Sequence, residues 1–196
     1  MTEFIALIAA AYLAGSVNFP IILFKLTGRA DPRKQFSGNP GTTNVYRQAG
    51  LVWALVVLLL DFSRAMGIAW LAGYLLSVST VPWVGMSLIL GNRLPCFHGF
   101  SGGKGVANYL GFFAMLAGIE TLYALAVWLV VYGLFRKPFI ASFFLILVLG
   151  GVVGYNLDFD PVATVGIGVT ALFIIYNHRQ NIVELIKQNL LPCLIE

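Results

Sequence analysis

Gly102-Gly103-Lys104-Gly105 sets a single cation among glycines directly ahead of a long apolar run. Glycines let backbone N–H groups come close to an oxyanion, and the N-terminus of a following helix adds partial positive charge. The motif belongs to a longer polar stretch that starts at Gly91. Two further clusters have the same character. Phe36-Ser-Gly-Asn-Pro-Gly-Thr-Thr-Asn-Val-Tyr-Arg47 ends in an arginine, and its Thr42-Thr43-Asn44 stands ahead of a run that can begin a helix. Asn177-His-Arg-Gln-Asn-Ile182 adds an imidazole and carboxamides. Arg grips phosphate with a bidentate fork and Lys binds it as a point charge. The chemistry these three loops share is the capture of a phosphate-bearing anion. Loops are rich in Gly, Ser and Asn in any protein, and Arg or Lys at helix ends often only fix topology. That account suffices for any one residue; three such clusters on one side of an apolar chain favour a site.

Other chemistries fit less well. Gly99-Phe-Ser-Gly-Gly103 has the G-x-S-x-G spacing of a nucleophile elbow, but that elbow needs a strand before the serine. Pro95 and an apolar span precede it here. A P-loop needs Ser or Thr after its lysine, and Gly105 follows Lys104. The two histidines, His98 and His178, belong to no Cys/His/Asp cluster with metal spacing, so neither metal nor cofactor is expected. Only Asp31 and Glu184 could complete a Ser–His–acid triad with His178, which supports hydrolysis weakly.

The elements that must position these loops are apolar. Of the 196 residues, 59% are hydrophobic and 10% charged, against about 25% charged in a soluble domain. Mean hydropathy is +0.88. Such a chain cannot coat itself with polar surface, so an all-α integral membrane protein is expected, residues 1–196 forming one domain. Apolar runs predict seven spans: Thr2–Phe24, Leu51–Leu76, Val81–Leu94, Gly102–Gly118, Glu120–Phe135, Phe139–Tyr155 and Pro161–Tyr176. They form a compact bundle with the motif loops at about 36–47, 91–105 and 177–185. Splitting the second run at Asp61 would give eight. Charge decides between them. Seven spans put Lys25, Arg29, Arg33, Lys34, Arg47, Arg93, Lys104, Arg136, Lys137, Arg179 and Lys187 on one side, eleven of twelve basic residues. The other side carries Glu3, Glu120, Asp158 and Asp160. Basic loops stay cytoplasmic, so the N-terminus is expected outside and the C-terminus inside. Cys96 and Cys193 then both face the reducing side, which argues against a disulfide. Asp61 and Arg64, three apart inside a span, can share a helix face and form a structural ion pair. Gly150, Gly151, Gly154, Gly166 and Gly168 suit close helix packing.

The three loops resemble, in order, the signature motifs of the bacterial acyl-phosphate:glycerol-3-phosphate acyltransferase family, PlsY. The first is similar through Ser37, Gly38, Asn39, Gly41, Thr43, Asn44 and Arg47. The second is similar through Gly91, Pro95, Phe97, Phe100 and Gly102 to Gly105, with Asn92 where the family has His and Leu94 where it has Phe. The third is similar through His178, Arg179, Asn181, Ile182 and Leu185, with Glu184 replacing an Arg. Asp61 and Arg64 resemble the family's D-x-x-K-G, and Arg136 to Ser142 its Arg-to-Ser stretch. The resemblance spans nearly the whole chain.

The resemblance implies a bacterial cytoplasmic (inner) membrane enzyme with its active site facing the cytoplasm. It would transfer a fatty acyl group from acyl phosphate to glycerol 3-phosphate, giving lysophosphatidic acid and inorganic phosphate. Long-chain acyl phosphate, glycerol 3-phosphate and membrane lipid are the expected partners, and nucleic acid is not. The H-x-x-x-x-D motif of the other acyltransferase class is absent. By this resemblance Gly102, Gly103, Lys104 and Gly105, with Asn39, Thr43 and Asn44, would cradle the acyl phosphate. Ser37, Arg47, Lys104 and Ser142 would hold glycerol 3-phosphate. His178 and Asn181 would orient the attacking hydroxyl, His178 serving as base if one is needed. A small transporter or channel for a phosphate-bearing solute is the alternative, favoured only by Asp61 and Arg64. A non-catalytic scaffold would leave the Gly-Gly-Lys-Gly pattern unexplained.

Overall fold

The computed structural model describes residues 1–190; Cys193 lies outside them. Among the described residues the chain is helical, with ten α-helices and short 3-10 turns between them. In order they are α1 (Thr2–Ser16), α2 (Phe19–Leu26), α3 (Thr42–Ala49), α4 (Leu51–Leu75), α5 (Val81–Arg93), α6 (Val106–Ala117), α7 (Thr121–Phe135), α8 (Pro138–Asn156), α9 (Pro161–Asn177) and α10 (Arg179–Leu190). Proline opens α2, α5, α8 and α9, where its missing N–H is one the helix start leaves free anyway. Asp160 Oδ1 accepts from the N–H of Ala163 and caps α9 at 2.9 Å.

Four helical stretches are long and apolar enough to cross a membrane: Thr2–Leu26, Leu51–Leu75, Val106–Phe135 and Pro138–Asn156. The pair Pro161–Asn177 and Arg179–Gln188, bent by 52°, makes a fifth. α5 has 13 residues, about 20 Å at 1.5 Å per residue, so it can cross only with its flanking turns and where the bilayer thins around it. It is the central helix, packed against α1, α4, α6 and α9, and its Val81, Val84, Leu88 and Ile89 share one core with Phe112 and Phe113 of α6 and Leu145, Ile146 and Leu149 of α8. α4 and α7 turn Leu55, Leu59, Val130 and Leu134 outward.

Side-chain bonds fix helix directions. Ser87 donates to the Ile8 carbonyl and Tyr12 to the Leu94 carbonyl, so α1 and α5 run parallel. Gly15 and Gly91 permit that contact: a Cβ at either would strike the Leu88 or Tyr12 carbonyl. Tyr109 donates to the Ile146 carbonyl and Asn156 to the Leu116 carbonyl, so α6 and α8 run parallel. Trp128 meets Ser142 across the α7–α8 turn, so α7 packs on α8 and runs antiparallel to it.

Two expected spans differ in detail. The first is broken at Val17-Asn18, where Asn18 Oδ1 accepts from the Ile21 N–H and starts α2 afresh. The span expected from Gly102 begins at Val106, because residues 102–104 are extended loop.

Candidate active site

A cavity of about 920 Å³ opens where the three motif loops meet. The first loop contributes Ser37, Asn39, Thr43, Asn44 and Arg47; the second Gly103, Lys104 and Gly105; the α9–α10 bend His178 and Asn181; α8 Ser142. Arg136 and Lys137 complete its basic mouth, while Leu58, Leu110, Leu125, Trp128, Leu129 and Leu145 wall the other end. Sequence distances of more than a hundred residues thus close onto one space. Gly102 and Arg64 do not line it.

Lys104 is the centre of this arrangement. Its Nζ donates to Asn181 Oδ1, and its carbonyl accepts from Asn177 Nδ2 at 3.4 Å. Burial pushes its pKa down to about 8; Glu184 opposes that and Arg93 adds to it. His178 Nδ1 lies 2.9 Å from the Ile174 carbonyl. A carbonyl only accepts, so Nδ1 carries the proton and Nε2 keeps its lone pair. His178 is 4% exposed. It stands edge-on to Phe143. Ser142 Oγ donates to the Pro138 carbonyl at 2.9 Å. Arg47 is exposed and, among the described residues, forms no ion pair.

Several anion-binding expectations need correction. The N–H groups of Gly102 and Gly103 donate to the Arg93 and Asn92 carbonyls at 3.1 and 3.0 Å, so neither can face a phosphate. These glycines are there for close packing: a Cβ on Gly102 would meet the Asn92 carbonyl and the Pro95 ring. The free amides lie one step on, at Lys104, Gly105 and the start of α6. Gly105 caps α6 with φ +97°, a conformation glycine adopts without strain. Asn44 is buried, and its Nδ2 donates to the Pro32 and Gln35 carbonyls. It holds the first loop in place and has no donor left for a ligand. Asp31, weighed as a partner for His178, is instead paired with Arg33 at 2.6 Å.

Asp61 and Arg64 pair at 2.7 Å. Arg64 does more than neutralise Asp61. It donates to the Ala14 and Val17 carbonyls at the α1–α2 break, to Asn108 Oδ1 at 2.6 Å, and lies 4.8 Å over the Phe19 ring. Asp61 and Asn108 line the cavity. Asn108 went unnoticed in the sequence, although a carboxamide early in an apolar span is itself a signal. Arg33 was also missed. It donates to the His98 and Ser101 carbonyls at 2.8 and 3.2 Å and stitches the first loop to the second. Asn92 is buried beside Gly103 and lines the cavity.

The model of the glycerol-3-phosphate acyltransferase family matches residues 5–188. The glycerol-3-phosphate acyltransferase of Ralstonia nicotianae is 37% identical over 190 residues, covering 90% of this chain and 87% of that protein. That of Methylobacillus flagellatus is 39% identical, covering 91% of each. Among solved structures, the integral membrane glycerol 3-phosphate acyltransferase PlsY in its glycerol 3-phosphate form superposes with a TM-score of 0.88. That match has 31% identity and covers 95% of this chain and 93% of the other. The lysophosphatidic acid form gives 0.85 at 30% identity with the same coverage. A family match over nearly the whole chain, an all-helical fold shared with an integral membrane enzyme, and apolar helices around a basic cavity agree: the chain is a multi-pass membrane protein and belongs to the glycerol-3-phosphate acyltransferase family.

Proposed function

We propose that this chain moves a fatty acyl group from a long-chain acyl phosphate to glycerol 3-phosphate, releasing lysophosphatidic acid and inorganic phosphate. The observation that carries this reading is the two-ended cavity, basic at one end and apolar at the other. A dianionic acceptor fits the basic end and an alkyl tail the apolar end, so one space serves both substrates. Arg47, Lys104, Ser37 and Ser142 are assigned to glycerol 3-phosphate. The amides of Lys104 and Gly105 at the start of α6, with Asn39 and Thr43, are assigned to the donor's phosphate.

The acceptor hydroxyl oxygen attacks the acyl carbonyl carbon while the bond from that carbon to the phosphate oxygen breaks. The donor is already activated, so positioning and charge neutralisation suffice, with no covalent enzyme intermediate. His178 Nε2 and Asn181 orient the hydroxyl. A proton taken at His178 Nε2 would leave a buried imidazolium whose other nitrogen already donates to the Ile174 carbonyl, a costly charge to bury, whereas the leaving phosphate stays an anion with a second pKa of about 6 in a monoester. The leaving phosphate takes the proton.

The basic mouth is assigned to the cytoplasmic face of a bacterial inner membrane, with seven crossings, the N-terminus outside and the C-terminus inside. The parallel α6 and α8, the returning α7 and the one-sided Lys and Arg support this. The test is to give purified protein glycerol 3-phosphate with palmitoyl phosphate or palmitoyl-CoA. Equal phosphate and lysophosphatidic acid from the acyl phosphate alone, lost in Lys104→Ala and Arg47→Ala, is the expected result. Phosphate without lysophosphatidic acid would mean hydrolysis, and no turnover from folded protein would overturn the reading.

A further inference from the structure

A second cleft, of about 590 Å³, shares no lining residue with the active-site cavity. It lies between α2 and the turn that carries Phe97, His98 and Gly99. Ile21 and Lys25, one helical turn apart on α2, form one wall, and Arg29 and Arg33 close the end. Arg33 is fully engaged: Asp31 neutralises it, and the His98 and Ser101 carbonyls fix its orientation. The charge of Asp31 is matched by that of Arg33. Lys25 and Arg29 are exposed, and among the described residues neither forms an ion pair. The surplus charge of the cleft is theirs. His98 feels it: burial lowers its pKa, with Arg33 next and Lys25 also contributing against Asp31.

Apolar side chains adjoin these cations: Phe97, 60% exposed, lines the cleft with Ile21, and Leu26, next to Lys25 in α2, is 80% exposed. A soluble phosphate would gain nothing from such neighbours, whereas a lipid places chains beside its headgroup. Exposed Phe and Leu beside Lys and Arg suit a membrane interface, the apolar groups entering the acyl boundary and the cations staying with the headgroups. We propose that this cleft binds the anionic headgroup of a membrane phospholipid through Lys25 and Arg29, with its chains against Leu26 and Phe97. The site is separate from the acyl-transfer cavity, and the proposal stands whether or not the reading of that cavity holds.

The test counts bound lipid by native mass spectrometry on purified protein in neutral detergent. Phosphatidylglycerol and phosphatidylcholine of matched chains are titrated into wild type, Lys25→Ala/Arg29→Ala and a charge-matched control, Lys34→Ala/Lys187→Ala. A cation near a lipid surface is worth about fivefold in affinity, so the first pair should weaken phosphatidylglycerol binding roughly 25-fold. The control should bind like wild type, phosphatidylcholine should bind weakly to all, and inorganic phosphate should not compete. Single Lys25→Gln and Arg29→Gln variants, each about fivefold weaker, serve if the double variant does not fold. Equal affinity across the proteins, an equal loss in the control pair, or displacement by inorganic phosphate would overturn the assignment.

Discussion

Lys104 holds its proton less firmly than a lysine in water because part of its solvent shell has been replaced by protein. Its pKa of about 8 means that the free enzyme loses this charge just above neutrality. A bound phosphate dianion would restore it. For glycerol 3-phosphate, kcat/KM should therefore fall as pH rises past about 8, while kcat at saturation falls only at higher pH, because kcat/KM reports the free enzyme. In Lys104→Arg the falling limb should vanish, since a guanidinium keeps its proton above pH 12. A pH–rate profile checks this, and a limb unchanged in the variant would remove Lys104 from the assignment. His178 calls for a different measurement. A residue that only orients a hydroxyl contributes about one hydrogen bond, worth roughly 2- to 13-fold, whereas a general base contributes about 10²–10⁴. His178→Ala should lower kcat about tenfold without adding a pH limb; a thousandfold loss would make His178 the base. Lys104, Arg47, His178 and Asn181 were legible as types in their motifs. The bonds that take Gly102, Gly103 and Asn44 away from any ligand were not. They depend on how each loop folds back, on α5 or on residues 32–35, and spacing does not encode that.

The helices show why a buried arginine is tolerated in so apolar a chain. Breaking the first span at Val17-Asn18 strands carbonyls, and an unsatisfied carbonyl in an apolar setting is costly. Arg64 reaches from α4 to the Val17 carbonyl and also to that of Ala14, which accepts from the Val17 N–H as well, and holds Asp61 and Asn108 with its other amino group. One side chain thus ties α1, α4 and α6 together beside the cavity. Arg64→Ala should cost about 3–5 kcal/mol, since it leaves Asp61 buried without its partner. Asp61→Leu/Arg64→Met, which removes both charges, should be milder. Thermal unfolding in detergent separates the two, and equal losses would show that charge pairing is not what Arg64 supplies. The long apolar helices were legible because helices that face lipid are apolar over long runs. The break was less so, although Asn18 and Pro20 form a recognisable helix start. The late start of α6 was hidden because glycine-rich loop and apolar helix adjoin without a compositional step.

At the scale of the molecule, charge and cavity lie at the same end. Arg47, Lys104, Arg136 and Lys137 surround the mouth, and α6 and α8 start there while α7 finishes there. The turns at the opposite ends carry Glu120, Asp158 and Asp160. Basic loops are retained in the cytoplasm during insertion, so the cavity should open to the compartment that holds a soluble phosphate ester. A membrane-impermeant thiol reagent reads this directly. With Cys96 and Cys193 replaced by serine, Lys34→Cys should react only after cells are opened, and Asp158→Cys should react in intact spheroplasts. Both positions are polar and lie in connections between helices, so either substitution should leave the bundle intact. The reverse pattern would place the basic mouth outside the cell, beyond reach of cytoplasmic glycerol 3-phosphate, and acyl transfer to that acceptor would have to be abandoned even if the cavity bound phosphate.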